Sequence, residues 1–120
     1  MARILVVDDE ADIDFALKNV LEENGFEVES FDDPILALEH FRDNFYDLLI
    51  FDIKMSQMNG IELYQEIRKI DHKVKVCFLT ASQLNLDAIT NISCELDENQ
   101  FIQKPIGNEA LVQRVNAIIS

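Results

Sequence analysis

Basic residues, cysteines and long apolar runs are all scarce in this sequence. Only 10 Lys and Arg residues stand against 23 Asp and Glu residues in 120, which gives a net charge of −13. Because nucleic acids carry dense negative charge, we expect this chain by itself to be repelled by DNA and RNA. Most of the acidic excess is typical of a solvated surface.

The apolar runs are too short for a membrane span or an export signal. Ile4–Val7 and Leu48–Phe51 have the length of strands, and only four apolar residues follow Arg3 before the acids begin. Cys77 and Cys94 are far apart, which favours buried thiols over a disulfide. These features predict a cytoplasmic protein that does not bind membranes.

Length and composition predict one globular domain over residues 1–120. The chain is 48% hydrophobic and contains no internal repeat or low-complexity segment. Short apolar runs, typical of strands, occupy residues 3–7, 26–31, 47–51, 74–79 and 101–103. Between these runs and after the last one, apolar residues recur at the spacing of a helix. The pattern is weakest within residues 82–100, where the ends of the predicted helix are not defined. Five strands alternating with five helices predict a parallel sheet that is covered on both faces.

Two strands can be placed in this sheet from their patterns. The strand predicted at residues 47–51 carries apolar side chains on both of its faces, which is typical of a central strand. Glu27 and Glu29 indicate that residues 26–31 form an edge strand exposed to solvent. Asp33 and Pro34 predict the start of the second helix, and Ile35, Leu38 and Phe41 continue it on one face.

Polar residues stand at the ends of four of the predicted strands. Asp8 and Asp9 follow the first, Asp52 follows the third, Thr80 ends the fourth and Lys104 follows the fifth. Any one of these acids alone is more simply a turn residue or a helix cap. Together they indicate a binding site, because ligands bind at the carboxyl ends of the strands in an open parallel sheet.

The chemistry of this group points to phosphoryl transfer. Three clustered carboxylates resist ionising together unless a cation joins them, and an all-oxygen set suits Mg²⁺. A carboxylate can attack a phosphoryl group to form an aspartyl phosphate. The metal, the Lys104 ammonium and the Thr80 hydroxyl would then neutralise the phosphoryl oxygens.

Four segments resemble the receiver domains of two-component response regulators. They are Ile4–Glu10, Leu48–Asp52, Phe78–Ala81 and Lys104–Pro105, in order and at suitable spacing. The resemblance covers essentially the whole chain. With the strand pattern, it implies a flavodoxin-like, doubly wound α/β fold of three layers, with a five-stranded parallel sheet of order 2-1-3-4-5 and five helices.

The resemblance also implies a function and a set of site residues. The chain would be a phosphorylation-dependent signalling switch, not an enzyme, with at most self-catalysed phosphorylation and dephosphorylation. Asp52 would accept the phosphoryl group from a histidine kinase or a histidine phosphotransfer protein. Asp8, Asp9 and Asp52 would hold Mg²⁺, helped by the backbone carbonyl of Lys54.

The same resemblance implies a switch. Thr80 would move toward the new oxygens, Lys104 would bind them, and Phe101 would swing inward. That movement would reshape the face formed by the fourth helix, the fifth strand and the fifth helix. The alternative for Phe101 is a fixed core residue. The Lys104–Pro105 bond is expected to be cis by the same analogy.

The loop after Asp52 departs from the family pattern. Many receivers have proline where Ser56 stands, so we expect this loop to be more flexible than usual. The second acid that aspartyl-nucleophile phosphatases usually keep two residues after the nucleophile is replaced by Lys54, which counts against that alternative.

Two further alternatives stay open. A flavin-binding module would want a Ser/Thr/Gly-rich phosphate loop, and the acids of Asp8–Asp12 would repel a phosphate that lacks a metal. An interaction module of receiver type could act without phosphorylation. The sequence identifies no downstream effector, and a phosphorylation-dependent dimer, through the fourth and fifth helices as is common in the family, stays open.

Overall fold

Five parallel strands form one sheet in the computed structural model, which describes residues 2–80, 100–104 and 107–119. The order is β2-β1-β3-β4-β5, as predicted, with β3 in the centre and β2 at an edge. The bounds are β1 Arg3–Val7, β2 Glu27–Phe31, β3 Leu48–Asp52, β4 Lys75–Thr80 and β5 Phe101–Gln103. The middle strands run one residue beyond the predicted apolar runs, because Asp52 still pairs with Leu79 in the ladder.

The helices that the structure describes agree with the predicted periodicity. They are α1 (Ala11–Glu23), α2 (Pro34–His40), α3 (Gly60–Arg68) and a C-terminal helix (Asn108–Ile119). The predicted fourth helix falls almost entirely within residues 81–99, which lie outside the described part of the chain, as do Cys94 and Pro105. Within the described ranges, every helix is too short or too polar to pass through a bilayer.

Both faces of the sheet are buried, and this explains why the central strands are apolar at every position. Leu5, Val7, Leu49 and Phe51 pack toward α3 in one core, together with Phe101. The alternate residues, Ile4, Val6, Leu48 and Ile50, pack in a second core against α1 and the C-terminal helix. Cys77 lies buried in this second core as a free thiol, as predicted.

The second helix begins as predicted, and most of its predicted apolar face packs inward. The Asp33 carboxylate accepts a hydrogen bond from the backbone N–H of Ile35 at 2.8 Å, so it is the N-cap. Leu38 and Phe41 pack against the core, whereas Ile35 is 37% exposed. Pro34 and Ala37 are buried on the same face, which has the i, i+3, i+4, i+7 spacing of a helix and leaves Ile35 outside it.

The start of α3 lies directly against the end of β3. A Cβ atom on Gly60 would stand 2.3 Å from the backbone oxygen of Asp52, and the Gly60 N–H donates to the Ile53 carbonyl at 2.9 Å. A capping box of Asn59 and Glu62 begins the helix at this point. Only glycine allows this close approach, so the backbone of Asp52 is supported by the first turn of α3.

Substituting Gly60 with alanine should therefore destabilise the fold. We expect a loss of about 2–4 kcal/mol in the free energy of unfolding, since backbone atoms have to move apart. Gly107→Ala is the matched control, because no atom of the described residues, its chain neighbours apart, lies within 4 Å of a Cβ built at Gly107. Urea unfolding of both variants measures the difference, and equal losses in the two would contradict the close-approach argument.

One buried acid on α1 lacks a full set of partners. The Asp14 side chain is 6% exposed, and its Oδ1 atom has no hydrogen-bond partner among the described residues. The pKa of Asp14 is raised to about 7, because burial and the nearby charge of Asp8 raise it more than a hydrogen bond with Ser30 lowers it. The carboxyl is thus easier to protonate in the folded chain than in the unfolded one.

This shift predicts that the contribution of Asp14 to the free energy of unfolding falls as pH rises. The unfolded Asp14 titrates near 3.8 and the folded one near 7, so the stabilising uptake of a proton is present at pH 4 and is lost by pH 8. Asp14→Asn should gain about 4 kcal/mol of unfolding free energy over wild type between pH 4 and pH 8. Urea unfolding at both pH values measures this, with Asp12→Asn, an exposed acid of the same helix, as control. A gain independent of pH would contradict the prediction.

Candidate functional site

The strand-end residues predicted from the sequence meet at one edge of the sheet. Asp8 follows β1, Asp52 is the last residue of β3, and Thr80 is the last residue of β4; all three are buried. Lys104 follows β5, and its backbone N–H donates to the Thr80 carbonyl at 2.7 Å. This extra backbone contact holds the lysine beside β4.

The Lys104 ammonium stands between two buried carboxylates. Its Nζ atom lies 2.9 Å from Asp8 Oδ2 and 3.4 Å from Asp52 Oδ2, and its side chain is only 14% exposed. Asp8 is held from its other oxygen as well, because Oδ1 accepts the Glu10 backbone N–H at 3.0 Å. Such charge-assisted hydrogen bonds fix the positions of the groups that make them.

The charges of the site influence one another's ionisation. The pKa of Asp52 is raised to about 6, because burial and the charge of Asp8 raise it more than Lys104 lowers it. Burial by itself lowers the pKa of Lys104, but its contacts with Asp8 and Asp52 outweigh burial and raise it. At neutral pH the site therefore holds an ionised, unusually basic Asp52 carboxylate beside a lysine cation.

Oxygen atoms at this edge are grouped closely enough to hold a cation. Among the described residues, Asp8, Glu10 and Asp52 offer carboxylate oxygens that all lie within 4.8 Å of one another. Mg²⁺ prefers such all-oxygen sets with few protein ligands, so the residues present fit that ion. Glu10 was not among the predicted ligands, and the run of three successive acids was the signal that could have indicated it.

Asp9 faces a different neighbour. Its Oδ2 atom accepts hydrogen bonds from Ser56, at 3.0 Å from the backbone N–H and at 3.3 Å from the hydroxyl. The Lys54 side chain, in the same loop, is exposed. Sequence reasoning noted Ser56 only as a missing proline and did not identify its contact with Asp9.

Phe101 is part of the core. Its side chain is 8% exposed, and its ring stacks on Phe78 with centroids 5.5 Å apart. Phe78 in turn meets the edge of the Tyr64 ring on α3, at 5.7 Å. The structure thus shows the inward position of Phe101, three residues before Lys104, while its predicted movement stays a prediction.

Comparison with known proteins agrees with this geometry. The profile of the response regulator receiver domain matches residues 4–116. A homologue of the transcriptional regulatory protein CpxR from Haemophilus influenzae is 34% identical over 119 residues, which make up 99% of this chain and 51% of that protein. The chain spans about half the length of the curated relatives it matches.

Solved structures show the same architecture. The non-phosphorylated HemR receiver domain from Leptospira biflexa has a TM-score of 0.87 and 29% identity, covering 100% of this chain and 95% of that one. The response regulator TrrA from Thermotoga maritima, solved in complex with Mg²⁺–BeF, has a TM-score of 0.81 and 32% identity, covering 98% and 99%. On its sequence match, its strand order and its strand-end residues, the chain belongs to the response regulator receiver domains, which are phosphorylation switches of two-component signalling and not classical enzymes.

Proposed function

We propose that Asp52 accepts a phosphoryl group from a phosphohistidine donor, and that Asp8, Asp9, Asp52 and the backbone carbonyl of Lys54 hold Mg²⁺ for this step. The observation that carries the proposal is the Lys104 ammonium, which lies within 3.4 Å of both Asp8 and Asp52 at the strand ends. The Mg²⁺–BeF complex of TrrA supports a magnesium site in a related receiver. Glu10 is a further oxygen donor at the same place.

Three residues of the chain have roles in the proposed transfer. An Asp52 oxygen attacks the phosphorus, and the P–O bond forms as the P–N bond to the donor imidazole breaks, with the electron pair leaving on the imidazole. Mg²⁺, when bound, supplies positive charge that neutralises the phosphoryl oxygens. Lys104, already beside Asp52, would contact one of those oxygens, and Thr80 at the end of β4 would donate its hydroxyl to another.

A protein donor has an apolar surface to dock on beside this site. A groove of about 310 Å³ between α1 and the C-terminal helix is lined by Ile13, Leu17 and Leu111, and it extends to Lys104. Histidine kinases and histidine phosphotransfer proteins are the donors that the family implies, and we propose that one of these docks here. Dephosphorylation catalysed by the domain itself is part of the same proposal.

Incubation with acetyl phosphate tests the acceptor and the metal. Wild type should gain the mass of one phosphoryl group with Mg²⁺ and none when the metal is removed by a chelator, because the buried acids otherwise repel the donor. Asp52→Asn should gain none, whereas Asp47→Asn, an exposed acid at the other end of β3, should behave as wild type. Intact-mass spectrometry reads all four outcomes.

Labelling of Asp52→Asn at the wild-type rate would contradict the proposed acceptor. Labelling of wild type without any divalent ion would contradict the metal. Repeating the comparison with a phosphohistidine protein in place of acetyl phosphate decides the class of donor.

We further propose that phosphorylation is transmitted through Thr80 and Lys104 to Phe101 and the adjoining helix. Lys104 continues β5, and Phe101 begins this strand, so a shift at the site displaces the strand that carries the ring. The Arg114 side chain of the C-terminal helix contacts the Phe101 carbonyl at 3.5 Å. The strand and the helix are therefore linked at Phe101.

Lys104→Ala tests this transmission. Phosphorylation of Asp52 should persist at a lower rate, but amide shift changes in β5 and the C-terminal helix should be lost, since the phosphoryl group no longer contacts β5. Lys69→Ala, which removes an exposed lysine, is the control. ¹H–¹⁵N spectra with and without acetyl phosphate measure the shift changes. Shift changes in Lys104→Ala as large as those of wild type would count against the coupling.

A further inference from the structure

We propose that Ser56 is a positioning residue that restrains Asp9 beside the loop between β3 and α3, so that Mg²⁺ has to compete with Ser56 for this carboxylate. The inference rests on the proposed function, in which Asp9 is a metal ligand. It gives the chain a built-in limit on its magnesium affinity.

The restraint consists of two hydrogen bonds to one oxygen. Asp9 Oδ2 accepts the Ser56 backbone N–H at 3.0 Å and the Ser56 hydroxyl at 3.3 Å, across 47 residues of sequence. Hydrogen bonds to an ionised acceptor are stronger than those between neutral groups. The Asp9 carboxylate is thus tied to the loop that follows Asp52.

The acids around Asp9 lie close to one another, whereas Asp9 lies apart from them. Asp8, Glu10 and Asp52 place oxygens within 4.8 Å of one another, and Asp9 is not in this group although it lies between Asp8 and Glu10 in the chain. The Lys104 ammonium pairs with Asp8 and Asp52. Asp9 accepts its hydrogen bonds from Ser56 and lies outside this close group of oxygens.

The loop backbone presents Ser56 for this contact. Gln57 has a φ of 72°, in the left-handed region, and the Met58 N–H donates to the Ser56 carbonyl at 2.8 Å. The Gly60 N–H closes the loop on the Ile53 carbonyl at 2.9 Å. A tight turn thus directs the Ser56 N–H out toward Asp9.

Removing the Ser56 donors should tighten magnesium binding. Ser56→Ala deletes the hydroxyl and keeps the N–H, so we expect the dissociation constant for Mg²⁺ to fall about threefold. Ser56→Pro deletes both donors and should lower it about tenfold. Ser56→Thr keeps both donors and should bind as wild type does.

Titration calorimetry with MgCl₂, without any phosphodonor, measures the dissociation constants. Urea unfolding without Mg²⁺ checks that the variants are folded, and Ser56→Ala alone suffices for the test if the proline variant is not. Phosphorylation by acetyl phosphate gives a second reading: the variants should react faster than wild type at limiting Mg²⁺ and at the same rate at saturating Mg²⁺. A residue with a merely structural role would not produce this split.

Unchanged or weaker Mg²⁺ binding in folded Ser56→Ala would overturn the inference, because Ser56 would then be neutral or would prepare Asp9 for the metal. This failure is distinct from failure of the proposed function. In that case wild type itself would neither bind Mg²⁺ nor gain mass from acetyl phosphate.

Discussion

The burial of two carboxylates beside one another is the constraint on which the site depends. Asp8 and Asp52 are both buried at the strand ends, where like charges repel strongly and water cannot screen them. Lys104 offsets this repulsion from a position 96 residues away from Asp8 in the chain. Only the sheet order that sets β1 next to β3, with β4 and β5 beyond, brings these three groups together. The favourable electrostatics of the site therefore depend on the topology of the fold.

Backbone contacts make the surroundings of Asp52 rigid. Gly60 lets α3 begin against the Asp52 carbonyl, and the Ile53 N–H continues the contact with β4 through the Leu79 carbonyl at 3.0 Å. The capping box of Asn59 and Glu62 fixes the first turn of α3. In our proposal Asp52 is the acceptor, and a carboxylate held in this way keeps the orientation on which much of the rate of phosphoryl transfer depends.

The aromatic residues link this rigid site to one face of the sheet. Phe101, Phe78 and Tyr64 form a continuous series from β5 through β4 to α3. Packed interiors transmit displacement because they contain little free volume. A change at Lys104, three residues along the chain from Phe101, therefore has a direct route into the core that α3 covers. In our proposal, this series reports the state of Asp52.

The sequence by itself determined the alternation of strands and helices, the central and edge strands, and the four strand ends that carry Asp8, Asp52, Thr80 and Lys104. These follow from local periodicity and from the rule that parallel strands present their carboxyl ends at one edge. Tertiary structure alone decided that Glu10 faces the acidic pair while Asp9 turns to Ser56, that Ile35 is exposed, and that Asp14 is buried without a full set of partners. Those outcomes depend on which side chains from distant segments compete for the same space and the same donors, and one-dimensional spacing carries no information about that competition.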